Sequence, residues 1–261
     1  MNFKIIHIDE TDSTNHWLRS FCSKENRREG GTQLCSVEKT PKHQSSLDNN
    51  KSIVVVAAYQ TAGKGCGNNS WESERGKNLT FSMLIHPEEI PANQQFHITE
   101  IVSVALCETL EPYIYNKVEI KWPNDIYVGD KKICGILIEN RLQGNAIKDS
   151  IIGIGLNVNQ TAFLSDAPNP VSLKQLTGRD IDREELLDIF LNTFDSVSKR
   201  VTVSSDYRRR LYRRSGRYLY KDETGSFEAE MEDVLEDGRL VLLDMSGKQR
   251  IYAFKEVMYV I

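Results

Sequence analysis

A run near the middle of the chain constrains the fold most. Ile152, Ile154, Leu156 and Val158 alternate with Gly153, Gly155, Asn157 and Asn159. Successive strand side chains point to opposite faces, so this is a strand with one apolar face and one face nearly stripped of side chains. Glycine weakens a strand and often marks the close approach of a ligand or another backbone. Either a neighbouring element packs against the bare face, or a ligand lies on it. Gly135, in Cys134-Gly135-Ile136-Leu137-Ile138, belongs to the same floor if its strand lies alongside.

The remaining periodicities supply a sheet and its helices. Strands are expected at 3–8, 53–59, 79–85, 118–122, 133–140 and 150–159. In the fourth, Val118, Ile120 and Trp122 alternate with Glu119 and Lys121 until Pro123 stops the run. Asn124-Asp125 then reads as a turn. Asp12 or Ser13 caps a short helix whose Trp17, Leu18, Phe21 and Cys22 share a face. Helical spacing recurs at 97–111 and 183–199, and a basic amphipathic helix is expected at 206–214. Residues 24–52 hold only Leu34, Cys35, Val37 and Leu47 as apolar side chains, too few to bury much surface, and read as a polar surface excursion. From Gly216 onward, short alternating segments are punctuated by Glu223-Thr224-Gly225, Glu236-Asp237-Gly238 and Ser246-Gly247. That spacing suggests a small β-barrel. The chain therefore divides into 1–215 and 216–261.

Composition narrows the function. Lysine and arginine number 33 against 37 aspartates and glutamates, a formal charge of −4, which argues against a general nucleic-acid coat. No apolar run approaches the roughly 20 residues of a membrane helix, and the N-terminus lacks a signal-peptide core. The five cysteines are odd in number and include no C-x-x-C pair, so a reducing cytoplasm is the expected compartment. The histidines lack metal-ligand spacing, and no G-x-S-x-G elbow is present. The arginines at 208–210, 213 and 214 read as a solvated helix face.

Two segments carry candidate chemistry. Gly63, Gly65 and Gly67 free the backbone of the loop after the second strand, and Lys64 adds a cation. Such a loop suits a phosphate, though it is neither a P-loop nor G-x-G-x-x-G, and a plain surface loop is the other reading. Lys121 points away from the apolar face of its strand. It is either a solvated lysine or a fixed cation beside the anion loop.

Taken in order, these blocks resemble the biotin–protein ligase family. The resemblance covers about residues 1–200. It rests on Ser13-Thr14-Asn15; on Tyr59-Gln60-Thr61-Ala62-Gly63-Lys64-Gly65 with Trp71; and on Gly76-Lys77-Asn78-Leu79. It continues with Lys121-Trp122-Pro123-Asn124-Asp125, then 132–139, then 153–159. The resemblance implies an α+β fold, a mixed-sheet catalytic domain of the biotin/lipoate ligase type with a small C-terminal SH3-like barrel. It implies ATP-dependent attachment of biotin to a lysine of a biotin carboxyl carrier protein through biotinyl-5′-AMP. ATP and Mg2+ are the implied cofactors, with no metal ligands identified. Lys121 and Lys64 would be catalytic. Ser13, Thr14, Asn15, Gln60, Gly63, Lys64, Gly65, Cys66, Lys121, Gly135, Gly153 and Gly155 would bind biotin, and Trp71, Asn78 and Asn157 the nucleotide. The carrier would be that of acetyl-CoA carboxylase or a related enzyme. A homodimer is compatible with the resemblance.

The chain also departs from the family. Where the family loop commonly reads G-R-G-R-x-G-R-x-W, Lys64, Cys66, Asn68 and Asn69 stand at the first Arg, the second Arg, the Gly and the third Arg. One cation of three remains, and lysine lacks the planar fork of arginine. The first family block begins within 13 residues of Met1, so a DNA-binding helix-turn-helix and a repressor role are not expected. A lipoate–protein ligase and a non-catalytic ligand-binding relative are the alternatives.

Overall fold

The computed structural model describes residues 1–28, 52–67, 69–87, 90–164 and 169–261. Strand β1 (Phe3–Thr11) leads into α1 (Thr14–Arg28), and β2 (Ser52–Gln60) and β3 (Leu79–Ile85) follow. The Ser13 carbonyl takes the first helical bond, from Trp17 N–H at 2.9 Å. Then come α2 (Phe96–Leu110), β4 (Val118–Lys121), β5 (Asp125–Val128), β6 (Lys131–Gln143) and β7 (Ala146–Leu156). The short α3 (Leu173–Thr177), α4 (Arg183–Val197) and α5 (Val203–Arg209) complete this part. The helix α1 takes up the first residues of the 24–52 excursion, and 29–51 lie outside the described residues.

The first sheet has seven strands in the order β1-β2-β3-β7-β6-β5-β4. β1 and β2 are parallel, and every other pair is antiparallel. Parallel neighbours need a crossover, and α1 lies within the one joining β1 to β2. The sheet has a core on each face. On one face Ile152, Ile154 and Leu156 of β7 join Phe81 and Met83 of β3 and the apolar sides of α2 and α4. On the other, Leu18 of α1 is buried with Ile53, Val55, Leu84 and Ile151, and Trp17, Phe21 and Cys22 pack around them. Leu186, Leu187, Phe190, Leu191, Phe194 and Val197 of α4 are all buried, as their spacing requires.

The structure bears out one reading and corrects two. Asn124 lies in the expected turn, after which β5 begins at Asp125 and pairs back with β4, Lys121 opposite Asp125. The strand expected over 150–159 starts earlier and ends at Leu156. Beyond it, Asn157 N–H donates to Ile133 O at 2.9 Å, and the side chains of Asn157 and Asn159 donate to Val171 O and Ile181 O. Local bonding of this kind competes with a strand ladder. The arginine cluster is not a solvated face either. Arg208 donates to Val234 O at 2.8 Å and to Asp233, Arg214 to Met231 O at 3.0 Å, and Arg213 to Val260 O at 3.0 Å.

Those acceptors belong to a second, antiparallel sheet. It comprises β8 (Arg217–Asp222), β9 (Gly225–Val234), β10 (Leu240–Asp244), β11 (Gln249–Tyr252) and β12 (Met258–Tyr259), in the order β11-β10-β9-β8-β12. Its Tyr220, Met231, Leu240 and Tyr252 share one continuous core with the α2 side of the large sheet. The indole of Trp122 donates to Gly238 O at 2.8 Å, and Tyr207 Oη donates to Pro123 O at 2.6 Å. The Trp122 bond anchors the second sheet beside the end of β4, and the Tyr207 bond ties α5 to the same turn.

Candidate active site on the glycine face of the sheet

Strand register lines up a row of residues across the face that α1 half covers. Thr80 of β3, Gly155 of β7 and Gly135 of β6 are cross-strand partners. Asp125, adjacent to the Ile126–Cys134 pair, and its partner Lys121 continue the row. At about 4.8 Å per strand, the row spans roughly 19 Å. One pair along, Ser82 stands opposite Gly153.

The Ser82 end is a hydrogen-bonded cluster. Ser82 Oγ lies 2.6 Å from both Thr14 Oγ1 and Asn15 Oδ1. Gln60 Oε1 accepts from Thr14 N at 2.8 Å, and Asn15 Nδ2 donates to Glu139 at 2.9 Å. Glu139 in turn pairs with Arg19. Ser13, Thr14 and Asn15 are buried. A Cβ placed on Gly153 would overlap the Asn15 amide, so this glycine makes room for the first turn of α1. Ser82 had no motif signal. Only the register of β3 against β7 reveals it.

The middle of the row is covered by Trp71. A Cβ on Gly155 would overlap its indole, and one on Gly135 would come within 3.0 Å of it. The bare floor is thus occupied by a side chain from the glycine loop. The indole Nε1 is buried and has no hydrogen-bond partner. The loop itself folds back as a hairpin, with Gly65 N donating to Asn69 O at 2.8 Å and Trp71 N to Gly63 O at 2.9 Å. Those two amides are therefore satisfied within the loop. Lys64 is exposed and bridges Ser70, Cys66 is half-buried, and Asn68 lies outside the described residues.

The far end of the row is cationic. Lys132 Nζ lies 2.7 Å from Asp125 Oδ1 and 5.9 Å from the Trp71 ring centre. Lys121 Nζ lies 5.2 Å from the ring centres of both Tyr127 and Tyr259. Burial pulls the Lys121 pKa below the ordinary lysine value. Asp125 opposes this, while Lys132 and Arg213 add to it. Lys255, in the turn between β11 and β12, sets its ammonium against Gly67 of the loop, where Gly67 has a φ of +70°. The roles of Lys132, Lys255, Tyr127 and Tyr259 had no separable sequence signal, since two of them come from the C-terminal sheet.

Asn78 and Asn157 are structural braces in this geometry. Asn78 Nδ2 donates to Gln160 at 2.6 Å, and its Oδ1 accepts from Val158 N at 3.0 Å. Asn157 Nδ2 donates to Val171 O at 3.1 Å, while its Oδ1 is buried without a partner. Among the described residues no three His, Cys, Asp or Glu side chains converge to hold a metal. A magnesium ion arriving with a nucleotide would be held largely by phosphate oxygens. No described helix is long and apolar enough to cross a membrane.

Residues 34–157 match the family model described as the biotin/lipoate A/B protein ligase family. Among curated relatives, the bifunctional ligase/repressor BirA of Bacillus subtilis is 34% identical over 62% of this chain and 50% of that protein. This chain thus spans about half the length of the first such relatives it matches. The biotin–[acetyl-CoA-carboxylase] ligase of Paracoccus denitrificans is 26% identical over 76% of this chain and 87% of that one. The biotin protein ligase of Aquifex aeolicus, solved with biotin and ATP, shares the fold, with a TM-score of 0.72 and 23% identity over 98% of this chain and 99% of that one.

Proposed function

Because this chain belongs to the biotin/lipoate A/B protein ligase family, we propose that it activates biotin with ATP and transfers it to a lysine of a carrier protein. One oxygen of the biotin carboxylate attacks the α-phosphorus of ATP, and the bond to pyrophosphate breaks. The resulting mixed anhydride, biotinyl-5′-AMP, is then attacked by an uncharged lysine amine of a biotin carboxyl carrier protein. An amide forms and AMP leaves. What carries this reading is the single sheet face that joins a polar cluster to a cationic end across a glycine floor.

Each residue has a physical task. Thr14, Asn15, Gln60 and Ser82 form a preorganised set of donors and acceptors that suits a ureido ring. Gly135 and Gly155 add no side chain of their own to the floor, so a flat group can lie there, as the Trp71 indole does now. Two anions must be brought together for the first step, so fixed cations matter most where charge develops. In this reading Lys121 serves the carboxylate and α-phosphate, while Lys64, Lys132 and Lys255 serve the phosphates around the loop. The buried, unpaired Trp71 N–H destabilises the indole's present position. A ligand oxygen that accepts from it, or a shift of the indole off the floor, removes that cost and leaves its face for the nucleotide base.

The test is exchange of labelled pyrophosphate into ATP. Biotin should support exchange and lipoate should not, and labelled biotin should then pass to a carrier-protein lysine. Exchange supported by lipoate alone would assign the site to lipoate, and binding of biotin without any exchange would make the chain a non-catalytic relative.

A further inference from the structure

The surroundings of Lys121 are unusual for a buried lysine. Among the described residues it has no ion pair and no hydrogen bond to a side chain, and the nearest carboxylate in its row, Asp125, is engaged by Lys132. Its ammonium instead lies over two aromatic faces, Tyr127 and Tyr259, each ring centre 5.2 Å away. Cations within about 6 Å of a ring centre are attracted by its quadrupole. Tyr127 comes from the neighbouring strand β5, but Tyr259 comes from β12, the last strand of the C-terminal sheet.

Tyr259 is firmly placed. It pairs with Tyr220 of β8, and their rings meet edge to face at 5.1 Å. Val260 N–H donates to Leu219 O at 3.1 Å, and Arg213 holds Val260 O. Its hydroxyl is buried without a partner. The ring is therefore the part of Tyr259 that the structure uses here. An ion pair would commit the Lys121 charge to a carboxylate. Two ring faces confine it while leaving its three donors available to incoming anions.

We propose that Tyr259 is a positioning residue for Lys121, closing with Tyr127 a two-ring box that aims the ammonium at the reacting carboxylate and phosphate. This makes the C-terminal sheet part of the reaction centre, and it rests on the ligase reading above. Replacing the ring should lower the rate of the adenylation step without touching the polar cluster at the other end of the floor.

The experiment has two arms. In the first, lysines carry 13C at Cε, and the Lys121 signal is identified by its loss in Lys121→Arg. Its ε-CH2 protons should be shifted upfield of those of the solvent lysines. They should stay so in Tyr259→Phe and move toward the solvent lysines in Tyr259→Leu. In the second, kcat for biotin-dependent exchange should fall about three- to thirtyfold in Tyr259→Leu, the rate equivalent of one lost cation–π contact. KM for biotin should stay within about twofold, Tyr259→Phe should restore the rate, and Tyr259→Leu should cost nothing further in a Lys121→Ala background. A wild-type Lys121 that resonates with the solvent lysines sinks the inference without any variant. An unchanged kcat in Tyr259→Leu, or a Tyr259→Phe as slow as Tyr259→Leu, also sinks it. If exchange is present and either arm fails, the inference falls alone; if no exchange occurs at all, the ligase reading falls first and takes the inference with it.

Discussion

At the scale of single residues, Lys121 carries the sharpest expectations. A preorganised charge at the reacting atoms is typically worth about 10²–10³ in rate, so Lys121→Ala should slow exchange by that factor. The protein should remain folded, because Val118 and Ile120, not Lys121, form the core side of β4. The ammonium is the form that acts, and burial lowers its pKa. As pH rises, the acting form is lost earlier than for an ordinary lysine, near ~10.4. The alkaline limb of the exchange rate should lie below that value and disappear in a slower Lys121→Arg, since arginine stays charged. Full wild-type activity up to the ordinary lysine range would contradict this. Cys66 stands at a position where the family loop commonly has arginine, and the structure brings Lys255 against the neighbouring Gly67. Lys255→Ala should therefore release biotinyl-AMP faster, by about tenfold for one lost charge-assisted contact. Cys66→Arg should reverse that loss in the double variant. Stopped-flow fluorescence reads both, with Trp71 as the probe.

At the scale of elements, the C-terminal sheet is tied by a carboxylate network. Asp222 accepts from Tyr252 Oη at 2.7 Å, from Thr224 N at 2.8 Å and from Arg250 at 3.2 Å. Its pKa is held down to about 2, chiefly by the Thr224 and Tyr252 hydroxyls. A carboxylate with a depressed folded pKa contributes stability above its unfolded value of ~3.9 and loses it as pH falls toward about 2. Thermal melts should drop steeply across that window, and Asp222→Asn should flatten the drop while lowering the melting temperature near neutrality. An Asp222→Asn melting curve as steep as the wild type over the same pH range would remove Asp222 from the account. The turns Glu236-Asp237-Gly238 and Ser246-Gly247 were legible because glycine supplies positive φ there, +89° at Gly238 and +80° at Gly247. β12 was not legible, being two residues long and held by pairing with β8 rather than by any pattern of its own.

At the scale of the molecule, the two sheets share one core and a belt of arginine contacts. Arg208 makes charge-assisted bonds to Val234 O and Asp233, each worth about 1.5–3 kcal/mol where shielded and less where solvent reaches them. Arg208→Ala should cost about 2 kcal/mol and lower the melting temperature by about 5 °C. Calorimetry should show a single transition that moves as a whole. A wild-type endotherm already split in two, with the C-terminal sheet melting apart from the rest, would refute this coupling. Residues 1–215 and 216–261 are expected to depend on each other for stability, although their compositions differ.

What the sequence alone determined is local or periodic. The apolar faces of α2 and α4, the alternating strands, the loop glycines and the stripped face of β7 follow from side-chain spacing and backbone freedom, which need no partner. Sequence order could not say that Ser82 joins Thr14 and Asn15, that Trp71 lies on Gly135 and Gly155, or that Lys121 rests against Tyr259. Those contacts link residues 64 to 138 positions apart. They exist because strand register fixes which residues share a row, and because packing of the second sheet brings the chain's last strand to the end of β4. The arginine cluster makes the same point in reverse. A run of charges reads as solvated until the fold presents it with backbone carbonyls to bind.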